Sequence, residues 1–313
     1  MSRASVGIWL TVGSGLAFAS SGPLAKSVMV AGWSPGAVLV VRLTGAAVIM
    51  LGLAAVADPG GLRGCAAHLR TIGAFGVVAV AGVQASFFLS LQYLQVGVTL
   101  MIQFLAPVAV IGWNWVVRGH RPHAVTLLGA GIALAGSALV IDVFSADGLS
   151  LAGLGWAGLS MLCNAAFFLL SARTSDSLSP VVLLGTGLTV AAASMWTLTA
   201  LGVLPVMLGG REATLAEHSI PVAVSLALLV AISTVVAYLC GVAGAARIGA
   251  TLMSLILLSE VLFAVALSWL LLGERVRPVQ LVGGVLVIGG IAVARRAAER
   301  RAPSTKPLRD ALT

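Results

Sequence analysis

Charged residues are scarce in this chain. They make up only 9% of its 313 residues, whereas 59% are hydrophobic. An average soluble domain carries about 25% charged residues. A soluble globule of this length could not cover its surface with so few polar groups. The scarcity therefore excludes an ordinary soluble fold and makes the lipid bilayer the solvent for most of the chain.

Cysteines and metal-ligand patterns are also sparse. Cys65, Cys163 and Cys240 are an odd number at wide spacing, which excludes a disulfide framework and a CxxC metal site. We interpret them as small apolar fillers. His120 and His123 have no cysteine or carboxylate nearby to complete a metal site, and the chain has no Walker-type loop for ATP. We predict neither a metal nor a cofactor.

The net charge of +8 does not indicate nucleic-acid binding. No basic stripe is interleaved with aromatic residues, as such an interface requires. The basic residues stand between apolar segments instead, where they set membrane topology. We therefore predict a lipid bilayer, and no nucleic acid, as the partner of this chain.

Long apolar runs fill the sequence. About 20 apolar residues suffice to cross a bilayer as a helix, and continuous rather than alternating runs exclude membrane-spanning strands. We predict an all-α polytopic membrane protein with ten transmembrane helices and short connections. The predicted spans are 7–31, 35–57, 70–93, 95–117, 123–143, 151–172, 179–204, 219–243, 246–272 and 277–294. The first is expected to be a helix rather than a cleaved signal peptide, because its apolar character continues to Ala31.

Lysine and arginine residues predict the orientation. With the N-terminus inside, thirteen basic residues fall on the cytoplasmic side and only Arg211, Arg275 and Arg277 fall outside. Positive residues favour the cytoplasmic side. We therefore expect a multi-pass protein of the cell membrane with both termini in the cytoplasm and a basic cytoplasmic tail at 297–313.

The two halves of the chain repeat each other. The sequence "VGVTLM" at 96–101 returns as "IGATLM" at 248–253, and Trp9 with Ser34-Pro35 returns as Trp156 with Ser179-Pro180. A serine followed by a proline is a helix start, because serine can cap and proline fits the first turn. Six further positions match at a constant offset of 154: Gly119, Arg121, Val125, Leu127, Gly129 and Gly136 with Gly273, Arg275, Val279, Leu281, Gly283 and Gly290.

Each repeat contains an odd number of predicted helices. We place the first five-helix repeat at 1–145 and the second at 146–296. Two such repeats in series must lie in the membrane with opposite orientations, which is the inverted-repeat design of secondary transporters. That design places a substrate site near the midplane, between the halves.

These motifs resemble the drug/metabolite transporter superfamily, and its EamA-type members in particular. The resemblance covers residues 5–296 and is most specific in "SEVLFAVALSWLLLGERVRPVQLVGGVLVIGG". Positions that match are Glu260, Gly273, Glu274, Gln280 and Gly283, together with Lys26, Arg42, Pro107, Gly119 and Gly129. Val261 replaces the usual proline and His120 replaces a usual glutamate. The resemblance implies two five-helix repeats that move a small metabolite, such as an amino acid or a nucleotide-linked compound, often outward.

Three ionisable residues fall within predicted spans. A charge at the centre of a membrane helix costs about 2.5–3.5 kcal/mol on insertion scales, so each needs a reason. Lys26 can extend to water at the outer end of its helix. Arg42 could bind a substrate carboxylate, pair with Glu260 or hold unwound backbone carbonyls. Glu260 could exchange protons during transport, or it could only join helices.

Polar and aromatic residues on other helices complete a predicted pocket. Gln84, Phe88 and Gln92 share one helix face, as do Thr99, Gln103 and Pro107. Gly22-Pro23 predicts a kink in the first helix. Each polar side chain alone could be interhelical glue, worth about 0.6 kcal/mol. The predicted substrate-binding residues are Arg42, Gln84, Phe88, Gln103, Asn164, Tyr238 and Glu260.

We therefore predict a secondary active transporter, and an exporter, of a small polar metabolite by alternating access, with protons as a candidate coupling ion. A monomer is sufficient, because one chain carries both repeats. A membrane-embedded enzyme acting on lipid-like substrates would need clustered His, Asp or Cys near one membrane face, which the sequence does not offer. A non-transporting scaffold would not need charges near the midplane. We predict that the chain is not an enzyme.

Overall fold

The computed structural model describes residues 3–90, 92–94, 96–119, 121–141, 150–173, 178–272 and 278–299. Several sequence predictions lie outside the described residues. They concern the repeat boundary at 145/146, the positions His120, Gly273, Glu274, Arg275 and Arg277, and the tail beyond Glu299.

Helices dominate the structure. In chain order they are α1 (Arg3–Ala19), α2 (Ser21–Val30), α3 (Pro35–Ala57), α4 (Pro59–Gly64), α5 (Leu69–Gly73), α6 (Val83–Ser90), α7 (Val96–Gln103), α8 (Ala106–Val116), α9 (Ala124–Ile141), α10 (Leu151–Arg173), α11 (Pro180–Ala200), α12 (Val222–Val230), α13 (Ala237–Ile256), α14 (Glu260–Leu272) and α15 (Pro278–Glu299). Short 3-10 turns cover Cys65–His68 and Leu257–Ser259, and π-helical stretches cover Ala74–Gly82 and Ala231–Val236.

Seven helical segments within the described residues are long and apolar enough to cross a membrane. One of them, Val222–Leu271, has 50 residues, and two shorter apolar helices cover Ala124–Leu139 and Pro278–Ala294. This length and composition support a polytopic membrane protein. The count of ten spans stays a prediction.

The predicted kink in the first helix is present. The helix breaks at Ser20, between α1 and α2. Pro23 has no N–H for the carbonyl of Ala19, and its ring crowds that carbonyl, so the break falls one turn before the proline. The Ser20 hydroxyl donates to the Ala17 carbonyl at 2.7 Å, which satisfies one acceptor at the break.

A second helix break lies at a position that the sequence did not predict. The ninth predicted span begins at residue 246, but α13 runs from Ala237 to Ile256 with one non-helical residue, Gly249 (φ 79°, ψ 163°). Glycine adopts a positive φ without the steric penalty of a side chain. The chain therefore changes direction at Gly249.

The all-α prediction was incomplete. A two-stranded antiparallel hairpin, β1 (Glu212–Leu215) and β2 (His218–Pro221), stands before α12, where we had expected a short connection and a helix from residue 219. Ala216 and Glu217 form its turn with positive φ. Ala213 packs with Leu24 and Leu226 in a small apolar cluster. Such packing stabilises an otherwise marginal hairpin.

Two antiparallel helix pairs join the halves of the chain. In the first, α9 crosses α15 so that a Cβ on Gly129 would lie 2.6 Å from the Gly290 carbonyl, and one on Gly136 would lie 2.6 Å from the Gly283 carbonyl. Adding 154 to Gly129 and Gly136 gives Gly283 and Gly290, so the internal repeat makes the two contacts equivalent to each other. Small residues let helix backbones approach this closely in membranes.

The second pair, α3 and α11, is tied at both ends. At the start of α3, Ser34 accepts from Ala37 N at 3.2 Å, as the Ser-Pro motif predicted, and donates to the Pro205 carbonyl at 2.8 Å. At the start of α11, Ser179 makes no side-chain cap. Its hydroxyl instead donates to the Asp58 carboxylate, just after α3, at 2.6 Å.

Candidate functional site

A central cavity of about 180 Å³ lies among the helices. Polar side chains that line it are Ser21, Arg42, Gln84, Gln103, Asn164, Tyr238, Ser254 and Glu260, and aromatic ones are Phe18, Phe87, Phe104, Phe167, Phe168 and again Tyr238. The lining comes from both halves of the chain. Cavities with apolar walls and a few convergent polar groups are the usual form of small-molecule sites.

Arg42 lies two turns inside α3 and is only 7% exposed. Its Nε donates to Thr234 Oγ1 at 2.8 Å, one Nη donates to Ser21 Oγ at 2.9 Å and the other donates to the Ser233 carbonyl at 3.1 Å. These three acceptors are neutral. One of them is a backbone carbonyl, that of Ser233, and binding of a substrate carboxylate by Arg42 stays a prediction.

Two local irregularities supply the acceptors of Arg42. Ser21 begins α2 just after the break in the first helix. Ser233 and Thr234 lie in the π-helical stretch 231–236, where Thr234 Oγ1 donates to the Leu229 carbonyl at 2.8 Å. π-helical turns interrupt the regular hydrogen-bond ladder and are frequent at functional sites. Arg42 thus joins α3 to the irregular parts of two other helices.

The guanidinium group has donors beyond these three bonds. An arginine side chain carries five N–H groups in a planar fork. Three are used within the described part of the chain, and Arg42 also faces the central cavity. The side chain can therefore remain fixed by its neighbours while it presents a positive charge to a ligand.

Glu260 is the first residue of α14 and follows the 3-10 turn Leu257–Ser259. Its carboxyl group lines the same cavity as Arg42. Helix α1 approaches closely here, because the missing side chain of Gly15 would lie 3.8 Å from the Glu260 backbone nitrogen. The apolar surroundings disfavour a charged group at this position, whereas the positive charge of Arg42 favours a carboxylate.

An aromatic cluster forms one wall of the cavity. Tyr238 stands at its centre, with ring-centroid distances of 5.1 Å to Phe18 and 5.5 Å to Phe167, both edge to face. Phe167 and Phe168 are 5.6 Å apart. Edge-to-face rings prefer such distances and pack rigidly.

Six of the seven predicted site residues therefore meet in one cavity: Arg42, Gln84, Gln103, Asn164, Tyr238 and Glu260. Phe88 does not line it. Phe88 packs against the main apolar core, and its neighbour Phe87 faces the cavity instead. Both lie about one helical turn after Gln84, so the spacing alone could not separate them.

Other polar residues singled out in the sequence lie elsewhere. Gln92 is exposed in a turn. The buried Thr99 shares a hydrogen bond of 2.9 Å with Ser90, and Lys26 is exposed on α2. Sequence reasoning missed Ser21, whose role depends on where the first helix breaks.

Comparison with known proteins agrees with this architecture. A model of the EamA-like transporter family matches residues 5–142 and 151–296, one match in each half of the chain. The chain belongs to the EamA-like transporter family. The two matches are the two EamA units of the fold, and both contribute to the central cavity.

A curated relative supports the same assignment. The uncharacterized inner membrane transporter YicL of Salmonella typhimurium is 26% identical over 230 residues, which cover 73% of each protein. A solved crystal structure of another protein is 17% identical and superposes with a TM-score of 0.77, covering 96% of this chain and 100% of that one. That likeness shows the fold. This EamA protein is a multi-pass membrane transporter, and transporters of this kind act on small molecules.

Proposed function

We propose that the protein carries a small zwitterionic or anionic metabolite, such as an amino acid, through the central cavity by alternating access. The observation that carries this proposal is the presence of Arg42 and Glu260 in one cavity of about 180 Å³. They come from different repeats. A change in how the repeats pack would therefore change the spacing of the two groups.

The charges suit a substrate that has both a carboxylate and an ammonium group. The remaining N–H groups of Arg42 can bind a carboxylate through a planar fork. The Glu260 carboxylate can accept from an ammonium group. Gln84, Gln103 and Asn164 offer neutral donors and acceptors to the rest of a polar substrate. The aromatic wall limits the site to compact molecules.

Glu260 is also the proposed site of proton coupling. When water can reach the cavity from one side, the carboxylate is solvated, and when the cavity is closed, the apolar surroundings favour the neutral acid. Proton release and uptake on different sides would then accompany substrate movement. We propose that the net direction is outward.

The topology is part of the proposal. Dividing Val222–Leu271 at Gly249 and including the two shorter apolar helices gives ten spans. Ser5 and Arg296 line one groove, so the start of α1 and the end of α15 lie at the same end of the molecule, as an even number of spans requires. A periplasm-active reporter fused after Thr313 should be silent, and strong activity there would contradict ten spans with a cytoplasmic N-terminus.

The coupling role is tested with Glu260→Gln, which keeps the shape of the side chain and removes its titration. Uptake of a panel of amino acids into proteoliposomes is measured with and without a pH gradient. We expect the variant to lose gradient-driven accumulation and to retain substrate exchange. Glu217→Gln is the matched control, because Glu217 lies exposed in the hairpin turn.

Full gradient-driven accumulation by a folded Glu260→Gln protein would assign Glu260 to helix packing. Binding by Arg42 is tested separately with Arg42→Lys, which keeps the charge and loses the planar fork. We expect weaker substrate binding, and unchanged affinity would make Arg42 purely structural. Thermal unfolding of each purified variant distinguishes lost function from lost folding.

A further inference from the structure

A second cavity opens on the side of the molecule. This lateral groove has a volume of about 530 Å³ and lies between α1 and α15. Both helices pack against the turn Leu257–Ser259, which forms its floor. The central cavity lies on the other side of that turn, and the lining residues of the two cavities are different.

The walls of the lateral groove are apolar along its length. Ile8 and Val12 stand one turn apart on α1, and Ile288 and Ile291 stand one turn apart on α15. Each wall therefore follows a helix axis. A channel of this form fits a hydrocarbon chain better than a polar solute.

The mouth of the groove carries a positive charge. Arg296 lines it near the end of α15 and is exposed. Trp9, which is 64% exposed, lies one turn after Ser5 on α1. Tryptophan is enriched at the level of lipid headgroups.

The depth of the groove matches one leaflet. Its inner end is at Ser259, whose hydroxyl lies beside Gly15 of α1. From Ser5 at the mouth to Gly15 there are ten residues, or about 15 Å of helix at 1.5 Å per residue. Half of the hydrocarbon core of a bilayer is also about 15 Å thick.

We propose that the lateral groove binds one anionic phospholipid. An acyl chain lies between the isoleucine faces of α1 and α15, and the phosphate group lies on Arg296. Basic pockets at the ends of membrane helices attract such headgroups. A bound chain would rest on the turn that precedes Glu260, beside the transport cavity and outside it. This lipid-binding proposal does not depend on the transport function proposed above, because its ligand is a component of the bilayer.

The test is native mass spectrometry of the delipidated protein with added phosphatidylglycerol or phosphatidylcholine. We expect one phosphatidylglycerol to be retained in preference to phosphatidylcholine. Arg296→Gln should weaken retention of phosphatidylglycerol about fivefold, since a basic residue near the surface contributes about 1 kcal/mol. Arg63→Gln, an exposed arginine outside the groove, is the matched control and should bind as the wild type does.

Ala292→Trp places a large ring in the groove and should reduce retention of both lipids. Glycerol phosphate, which has the headgroup chemistry and no acyl chain, should not displace the bound lipid. Equal retention of the two lipids by the wild type, or unchanged retention of phosphatidylglycerol by Arg296→Gln, would overturn the proposal. Arg296 is a surface residue, so that variant remains informative even if Ala292→Trp fails to fold.

Discussion

The two helix pairs that join the repeats are held by different means. The α9–α15 pair is in backbone contact through Gly129 and Gly290, and again through Gly136 and Gly283. The α3–α11 pair is tied at its ends through the side chains of Ser34 and Ser179. The α3–α11 pair also has a close backbone contact near its middle, where a Cβ on Gly185 would lie 2.9 Å from the Met50 carbonyl. The difference between the pairs therefore lies at their ends, where single hydroxyl groups tie α3 to α11.

The difference indicates where movement costs least. Contacts between close-packed backbones are lost together when the helices separate, and no rotamer change can replace them. Hydrogen bonds at helix ends are worth about 1 kcal/mol each and break one at a time. We therefore expect the α9–α15 pair to stay together during transport, while the ends of the α3–α11 pair open.

The largest effect should come from the glycine crossing. Gly290→Ala places a methyl group against the Ala133 nitrogen and 2.5 Å from the Gly129 carbonyl. Backbone atoms cannot rotate away, so the helices must separate, and overpacking of this kind costs about 1–3 kcal/mol. We expect a lower midpoint of thermal unfolding in detergent. Gly136→Ala, at the position that the internal repeat relates to Gly290, should also lower the unfolding midpoint.

Gly289→Ala is the control for this experiment. A Cβ at Gly289 meets no atom within 4 Å in the described structure. The variant should be as stable as the wild type. Equal unfolding midpoints for Gly290→Ala and Gly289→Ala would show that the crossing can widen without cost, and the contrast between the two helix pairs would then be wrong.

A smaller effect is expected from Ser34→Ala. This change removes the acceptor for Ala37 N and for Met207 N (2.9 Å) and the donor to the Pro205 carbonyl. We expect a loss of about 1–2 kcal/mol in the free energy of unfolding. Ser179→Ala removes one bond, to Asp58, and should destabilise less when both are measured by denaturant unfolding in micelles. The reverse order would contradict the assigned contacts.

The smallest expected effect is a pH dependence of stability, at the end of the α3–α11 pair where Ser179 bonds to Asp58. The hydrogen bond from the Ser179 hydroxyl, and then that from Gly61 N–H, lower the pKa of Asp58 below its ordinary value. The stability that results is present above the pKa of an unfolded aspartate, about 3.9, and is lost as the pH falls through the lower folded pKa. Ser34 bonds to neutral groups only, so its end of the pair should not show this loss.

The measurement is stability between pH 7 and pH 3 for the wild type and Asp58→Asn. We expect the stability difference between them to shrink below about pH 4. Ser179→Ala should move the pKa of Asp58 back towards the ordinary value. A difference that stays constant across this range would show that Asp58 contributes no titratable stability.

Much of this arrangement could be predicted from the sequence. The offset of 154 predicted the repeat, and the two glycine pairs at the α9–α15 crossing follow it. The Ser34-Pro35 start was predicted with its cap. Residues near the midplane were found because charged and amide side chains stand out in an apolar run, and six predicted site residues meet in one cavity.

The rest depends on contacts distant in sequence. Whether Phe87 or Phe88 faces the cavity depends on the rotation of α6, which a 3.6-residue period does not fix for adjacent positions. Ser179 has the same local motif as Ser34, but Asp58 takes its hydroxyl. The break at Gly249 was predicted a few residues too early, between 243 and 246. Glycine is frequent throughout this chain, with 37 in total, and among the described residues four of them take a positive φ, so the sequence does not show which glycine breaks the helix.

The hairpin β1–β2 makes the two repeats unequal in structure, and this inequality has a consequence for their free energies. Its counterpart in the first repeat, the connection between α3 and the third predicted span, is the short helix α4 and a 3-10 turn. Two identical halves would have inward-open and outward-open conformations of equal free energy. The hairpin bonds to the end of α14 through Ala216 N and the Leu271 carbonyl, at 2.7 Å, on one face of the membrane only. Under the proposed alternating access, we therefore expect unequal populations of the two conformations in the substrate-free protein, with one side open more often than the other.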